Sequence, residues 1–184
     1  MIEDYHKFIL GIIPARAGSK RLPNKNIRLL NGKPLVSYII KTALKVSKLD
    51  DVIVSTDSKK IAGIAERYGA NVPFLRPVKY ATDKASSFHA LRHAIGAYER
   101  LVKKKVDIIV YLQPTTPTTT AADIRQCIDL VAVKNYDSAV TLFKVNDRPE
   151  WCGVVTKKNR YKKYFSPEES KIMARQNWFM PSGG

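Results

Sequence analysis

The chain has 184 residues, 45% of them apolar and 26% charged, with no apolar run near the roughly 18 residues that a membrane span requires. Its length suits one well-buried core, and residues 8–14, interrupted by Gly11 and lacking a basic lead, read as a buried strand and a poor signal peptide. The net charge of +16 favours anionic ligands, while two cysteines without metal-ligand spacing, Cys127 and Cys152, suit a reduced, disulfide-free cytoplasmic protein.

Short apolar runs rich in Ile and Val predict buried strands at 9–14, 52–55, 72–75, 108–113 and 139–143. Helical spacing predicts helices at 35–47, 59–68, 88–102 and 122–132. In the last of these, Ile124, Ile128 and Val131 share a face and Asp123 sits in the first turn. This alternation predicts an α/β domain with a mostly parallel sheet flanked by helices. Right-handed crossovers put the strand carboxyl ends along one edge, where open α/β sheets bind ligands. Beyond Asp147 the pattern weakens to a strand at 151–156 and a basic hairpin or loop at 157–163. The whole reads as a single domain, 1–184, without repeats or low-complexity tracts.

Most of the chemistry follows the first strand, in Ile13-Pro14-Ala15-Arg16-Ala17-Gly18-Ser19-Lys20-Arg21-Leu22-Pro23-Asn24-Lys25-Asn26. A loop at a strand's carboxyl end has free backbone N–H groups. The small residues Ala15, Ala17, Gly18 and Ser19 let that backbone approach an anion closely. Arg16, Lys20, Arg21 and Lys25 add cations: guanidinium grips phosphate bidentately, and ammonium acts as a mobile point charge. The loop is neither a Walker-type phosphate loop nor a dinucleotide-binding glycine fingerprint, and its bland reading is a basic exposed turn.

Ile-Pro-Ala-Arg-x-Gly-Ser-Lys-Arg-x-Pro-x-Lys-Asn, followed by Gly32-Lys33-Pro34-Leu35, resembles the opening of the acylneuraminate cytidylyltransferases, the CMP-sialic acid synthetases and their legionaminic and pseudaminic relatives. Further matches follow in order: Val52-Ile-Val-Ser-Thr-Asp57, Tyr68-Gly-Ala70, Phe74-Leu-Arg-Pro77, Asp83 with Ser86-Ser87, Tyr111-Leu-Gln-Pro-Thr115, and Arg175-Gln176. The likeness is close over about 8–145 and thin beyond. It implies a Rossmann-like nucleotide-diphospho-sugar transferase fold. It also implies transfer of CMP from CTP to an acidic nonulosonic sugar, Mg²⁺, and a homodimer. Kdo cytidylyltransferases share that fold but lack Lys-Asn-Ile, and they stay open as an alternative, as does a non-catalytic nucleotide- or RNA-binding module. The chain has no aromatic-interleaved RNA motif, which weighs against nucleic acid.

Carried over by resemblance, Arg16 and Lys25 are the catalytic cations that neutralise the leaving pyrophosphate. Ala15, Arg16, Gly18, Ser19, Lys20, Lys25 and Asn26 would bind the triphosphate, and Asp83, Ser86 and Ser87 the cytidine end. Gln113, Thr115, Arg175 and Gln176 would meet the sugar acid. Structural readings stand beside these roles. Asp57 either binds a ligand or caps the second helix, Ser86 is itself a good cap, and the Gln113 segment is otherwise a plain turn. His89 and His93, four apart on one helix, read as a packed or solvated pair.

Three departures from the family pattern stand out. Thr118-Thr119 replaces Leu-Arg after the Pro-Thr-x-Pro turn, Arg148 is an uncertain stand-in for a basic substrate contact, and no Asp-x-Asp metal pair occurs, so the metal ligands are unknown. The expectation is that these 184 residues bind CTP but turn it over poorly.

Overall fold

The computed structural model describes residues 6–19, 22–82, 85–144, 152–155, 157, 160–173 and 178–181. By its internal contacts the chain, which reads as one domain in sequence, divides into two compact units, 1–139 and 140–182.

The first unit is built on three parallel strands, β1 (Ile9–Pro14), β4 (Asp51–Ser55) and β5 (Ile108–Tyr111), in the order β4-β1-β5. The central strand β1 alternates strictly. Ile9 and Ile13 face one way, into a cluster with Val36, Ile39 and Ile40 of α1 (Leu35–Ala43), Ile61 and Ile64 of α2 (Lys59–Arg67), and Ile124 and Ile128 of α4 (Ala121–Ala132). Leu10 and Ile12 face the other way, against Ala94 and Tyr98 of α3 (Ser87–Val102). A strand buried on both faces by crossover helices is the expected signature of a parallel sheet. A two-residue hairpin, β2 (Leu29–Leu30) and β3 (Lys33–Pro34), precedes α1. Its turn residues Asn31 and Gly32 have φ of 50° and 76°, the left-handed values that a tight hairpin turn needs.

The strand edge opposite the site carries carboxylates that satisfy strand-entry backbone. Asp50 accepts the Ile9 N–H at 2.7 Å, and Asp107 accepts the Phe8 N–H at 2.8 Å. Asp51 accepts the Tyr98 hydroxyl at 2.7 Å.

Three expectations are corrected. Residues 72–75 form no strand. The segment runs parallel to β4 but joins it only through bridges at Asn71 and Leu75, because Pro73 between them has no N–H to donate. The strand expected at 139–143 is β6 (Leu142–Lys144). It is exposed and pairs antiparallel with β9 (Phe179–Pro181), outside the core sheet. Ser58, and not Asp57, caps α2: its hydroxyl accepts the Ile61 N–H at 3.3 Å.

In the second unit β7 (Gly153–Val155) and β8 (Tyr161–Lys163) pair antiparallel as the basic hairpin, and α5 spans Pro167–Met173. Among the described residues both cysteines are free thiols, and no helix is long and apolar enough to cross a membrane.

Candidate active site

The carboxyl edge of β1, β4 and β5 opens into a cleft of about 240 Å³. Arg16, Ser19, Lys25 and Asn26 line it from the first loop, and Tyr80, Thr82, Ala85 and Ser87 from the approach to α3. Tyr111, Gln113, Pro114 and Thr115 line it from the end of β5. Three segments far apart in sequence thus meet where the topology puts three strand ends side by side.

The first loop is held from both sides. Asn26, 5% exposed in a 3-10 turn at Lys25–Ile27, donates its amide to the Arg16 carbonyl at 2.9 Å. Asp57, just past the end of β4, accepts the Ala17 N–H at 2.9 Å. The Ala15 N–H donates to the Ser55 carbonyl at 3.0 Å, continuing the β1–β4 ladder to the root of the loop. Arg16 reaches over the cleft, its Nη1 donating to the Ala81 carbonyl at 3.3 Å. Lys25 makes no ion pair among the described residues, which leaves its ammonium available to an anion.

On the opposite wall, Ser86 is the N-cap of α3, its hydroxyl accepting the Phe88 N–H at 3.2 Å, while Ser87 lines the cleft. The two neighbouring serines therefore separate into a structural one and a cleft-facing one. Gln113 is pinned by its turn: the Thr115 hydroxyl donates to Gln113 Oε1 at 3.3 Å, and the Thr116 hydroxyl to the Gln113 carbonyl at 3.0 Å. That turn leads into α4, which opens with a reciprocal cap between Thr120 and Asp123.

Three of the expected nucleotide-binding residues that are described, the capping Ser86 among them, do not line the cleft. Ala15 is fully buried beneath it, and Gly18 is exposed with open space around its Cα. Lys20, Asp83, Arg175, Gln176 and Arg148 lie outside the described residues. His89 and His93 do not act as a pair. His93 packs its ring 5.0 Å from Tyr80 and 5.5 Å from Phe74, whereas His89 is exposed. The described lining includes no carboxylate, and among the described residues no group of three His, Cys, Asp or Glu side chains stands together for a metal.

Arg76 stands in the matched Phe74-Leu-Arg-Pro77 segment, but the sequence assigns it no role. It is 5% exposed, and its guanidinium donates to the Ser55 hydroxyl at 3.1 Å, to the Ser55 carbonyl, and to the Tyr80 carbonyl at 3.5 Å. Burial pulls its pKa below the usual arginine value; Asp57 and Tyr111 oppose that shift, and the charge of Arg16 adds to it. A buried guanidinium needs its hydrogen bonds met, and no local pattern in the sequence shows that this one is buried. Tyr111, beside it at the end of β5, has its pKa raised by burial, which keeps the phenol neutral.

The parallel α/β sheet thus brings a cationic loop, a hydroxyl-bearing wall and an amide together at its carboxyl edge, where sheets of this kind bind ligands. The family model described as cytidylyltransferase matches residues 10–181, and the chain belongs to that family.

Over 144 residues it is 42% identical to the CMP-N,N'-diacetyllegionaminic acid synthase of Legionella pneumophila, covering 78% of this chain and 61% of that one. Over 139 residues it is 41% identical to the N-acylneuraminate cytidylyltransferase of Escherichia coli, covering 75% and 32%. A pseudaminic acid cytidylyltransferase of Campylobacter jejuni is 48% identical over 86 residues, covering 47% and 37%. The chain thus spans less than two thirds of the length of each of these relatives. Its fold is that of a CMP:2-keto-3-deoxy-manno-octonic acid synthetase solved with CTP, with a TM-score of 0.68 at 20% identity, covering 94% of this chain and 70% of that one.

Proposed function

We propose that this chain binds CTP and transfers CMP to an acidic nonulosonic sugar, releasing pyrophosphate. The observation that supports it is the convergence of Arg16, Ser19, Lys25 and Asn26 with Ser87, Gln113 and Thr115 on one cleft at the sheet's carboxyl edge. Three relatives whose names specify legionaminic, neuraminic and pseudaminic acids point to the same sugar class.

In this reading the sugar's anomeric oxygen forms a bond to the α-phosphorus as the α–β phosphoanhydride bond breaks. The hydroxyl proton is released, and pyrophosphate departs with its bonding electrons. Transfer of this kind depends on placement and charge more than on covalent participation by the protein. Arg16 and Lys25 take up the charge that grows on the leaving pyrophosphate, and the Asn26 amide keeps the Arg16 backbone in place. Ser87 offers a hydroxyl donor and acceptor to the base, as Gln113 and Thr115 do to the sugar acid. Asp83, Arg175 and Gln176 complete the proposed set by resemblance, with Lys20 and Gly18 on the loop and Ser86 and Ala15 supporting it.

Mg²⁺ is the ion this chemistry calls for, since it offsets triphosphate charge. The described lining holds no carboxylate and Asp57 is engaged with Ala17, so the described residues do not fit a dedicated metal cage. A homodimer accords with the exposed apolar residues of the second unit, among them Leu142, Phe143, Val155 and Met180. Consumption of CTP accords with a cytoplasmic location.

The test is pyrophosphate formation from CTP and Mg²⁺ with a panel of nonulosonic acids and with 3-deoxy-manno-octulosonate. Sugar-dependent release with a nonulosonic acid supports the reading. Release only with the octulosonate reassigns the sugar class.

A further inference from the structure

Among the described residues Arg76 is the one buried arginine. Among the described residues no carboxylate lies within ion-pair distance of it. Burying a charge without an ion-pair partner is unfavourable unless hydrogen bonds satisfy it, and an apolar side chain would fill the same volume without that cost. What the guanidinium does that an apolar group cannot is hold several acceptors at fixed spacing from one planar fork.

Those acceptors stand at the buried root of the cationic loop and on the Tyr80 wall of the cleft. Ser55 ends β4, and its carbonyl takes both the Arg76 guanidinium and the N–H of Ala15, the root of the cationic loop. Tyr80 belongs to the opposite wall, and its carbonyl takes the remaining bond. The next carbonyl along, Ala81, takes the guanidinium of Arg16. Two arginines from different elements therefore grip consecutive carbonyls of one wall, Arg16 from the mouth of the cleft and Arg76 from beneath it. The backbone of Arg76 is fixed as well, its N–H donating to the Thr56 carbonyl at 2.7 Å.

We propose that Arg76 is a positioning residue for the nucleotide: from one buried point it sets the distance between the phosphate-loop side and the base side of the cleft. The inference rests on the CTP reading and deepens it. A ligand that touches both sides, with its triphosphate on the loop and its base on the Tyr80–Ser87 wall, feels that distance, whereas a ligand touching one side does not. Loss of the brace therefore weakens the whole nucleotide more than it weakens either half, as linked binding energies require. The buried charge adds a field at the loop, but a lysine would preserve that charge and lose the fork.

The experiment compares wild type, Arg76→Lys and Arg76→Met by calorimetric titration with CTP, with inorganic tripolyphosphate and with cytidine, each alongside a thermal melt. The expected result is that CTP affinity falls about ten-fold or more in both variants, while tripolyphosphate and cytidine each change less than about three-fold. If Arg76→Met does not fold, Arg76→Lys carries the comparison. Recovery of CTP affinity to near wild type in Arg76→Lys overturns the inference in favour of charge alone. A tripolyphosphate loss as large as the CTP loss overturns it in the same way. Wild type that binds tripolyphosphate and not CTP overturns the nucleotide reading itself, before any variant is considered.

Discussion

The Asp57 carboxylate accepts the Ala17 N–H at 2.9 Å, joining two residues 40 apart in sequence and holding the cationic loop against the end of β4. A backbone N–H in this loop is a natural phosphate donor, so the Asp57 bond selects which N–H groups remain free for the ligand. Asp57→Asn keeps an acceptor oxygen, and Asp57→Ala removes it. Asp57→Ala is expected to weaken CTP binding about ten-fold and Asp57→Asn by less than about three-fold, read by calorimetry. Tighter binding by Asp57→Asn would mean that the carboxylate acts mainly by repelling phosphate.

His93 supports the base-side wall from beneath, against the rings of Tyr80 and Phe74, and its Nδ1 is buried without a hydrogen-bond partner among the described residues. Burial lowers its pKa, and Arg100, Arg76 and Lys79 lower it further. The folded protein therefore takes up the proton less readily than the unfolded chain, whose imidazole titrates near 6.5. The neutral ring costs nothing above that pH, and stability falls as pH drops from there towards the folded value. His93→Phe is expected to flatten the fall in melting temperature between about pH 7.5 and pH 5, a range that spans the unfolded value, relative to wild type. Parallel curves for the two proteins would contradict this assignment.

The turn that presents Gln113 is anchored by the first turn of α4. There the Thr120 hydroxyl accepts the Asp123 N–H at 3.2 Å, and Asp123 accepts the Thr120 N–H at 2.8 Å. The hydrogen bonds from Thr120 hold the Asp123 carboxyl below the usual carboxylate range. Thr120→Ala is expected to cost about 1 kcal/mol in chemical denaturation. It should also raise the sugar KM more than the CTP KM, because the loosened turn carries Gln113 and Thr115.

In the β7–β8 hairpin, a Cβ on Gly153 would stand 2.5 Å from the Lys162 carbonyl oxygen and from the Tyr161 ring. The backbone of one strand thus needs the absence of a side chain on the other. Gly153→Ala is expected to disrupt this hairpin, seen as increased protease cleavage between residues 153 and 163, while the melting of the first unit stays unchanged.

How much was legible depended on sequence distance. The loop from Arg16 to Asn26 was readable because its cations, small residues and strand end are contiguous, and the four helices followed from apolar spacing. The bond between Asp57 and Ala17 and the Arg76 brace join segments tens of residues apart, so no local pattern carries them. Asp57 and Ser58 are both favoured caps, and a one-residue choice between them falls to the geometry of the chain. Residues 139–143 have the composition of a buried strand, but an apolar run does not say which sheet receives it. Here Leu142–Lys144 pairs with Phe179–Pro181. At 72–75 the apolar run has the composition of a strand, but Pro73 lacks the N–H that the ladder needs.

The most direct measurement is titration of the 184-residue chain with CTP, UTP, ATP and GTP, repeated with Arg16→Ala and with Lys105→Ala as a control at an exposed position before β5. The account predicts that CTP binds more tightly than the other three. It also predicts that Arg16→Ala costs about 1.5–3 kcal/mol, or roughly 10- to 150-fold, while Lys105→Ala costs almost nothing. Equal affinity for all four nucleotides, or equal losses in the two variants, would contradict it.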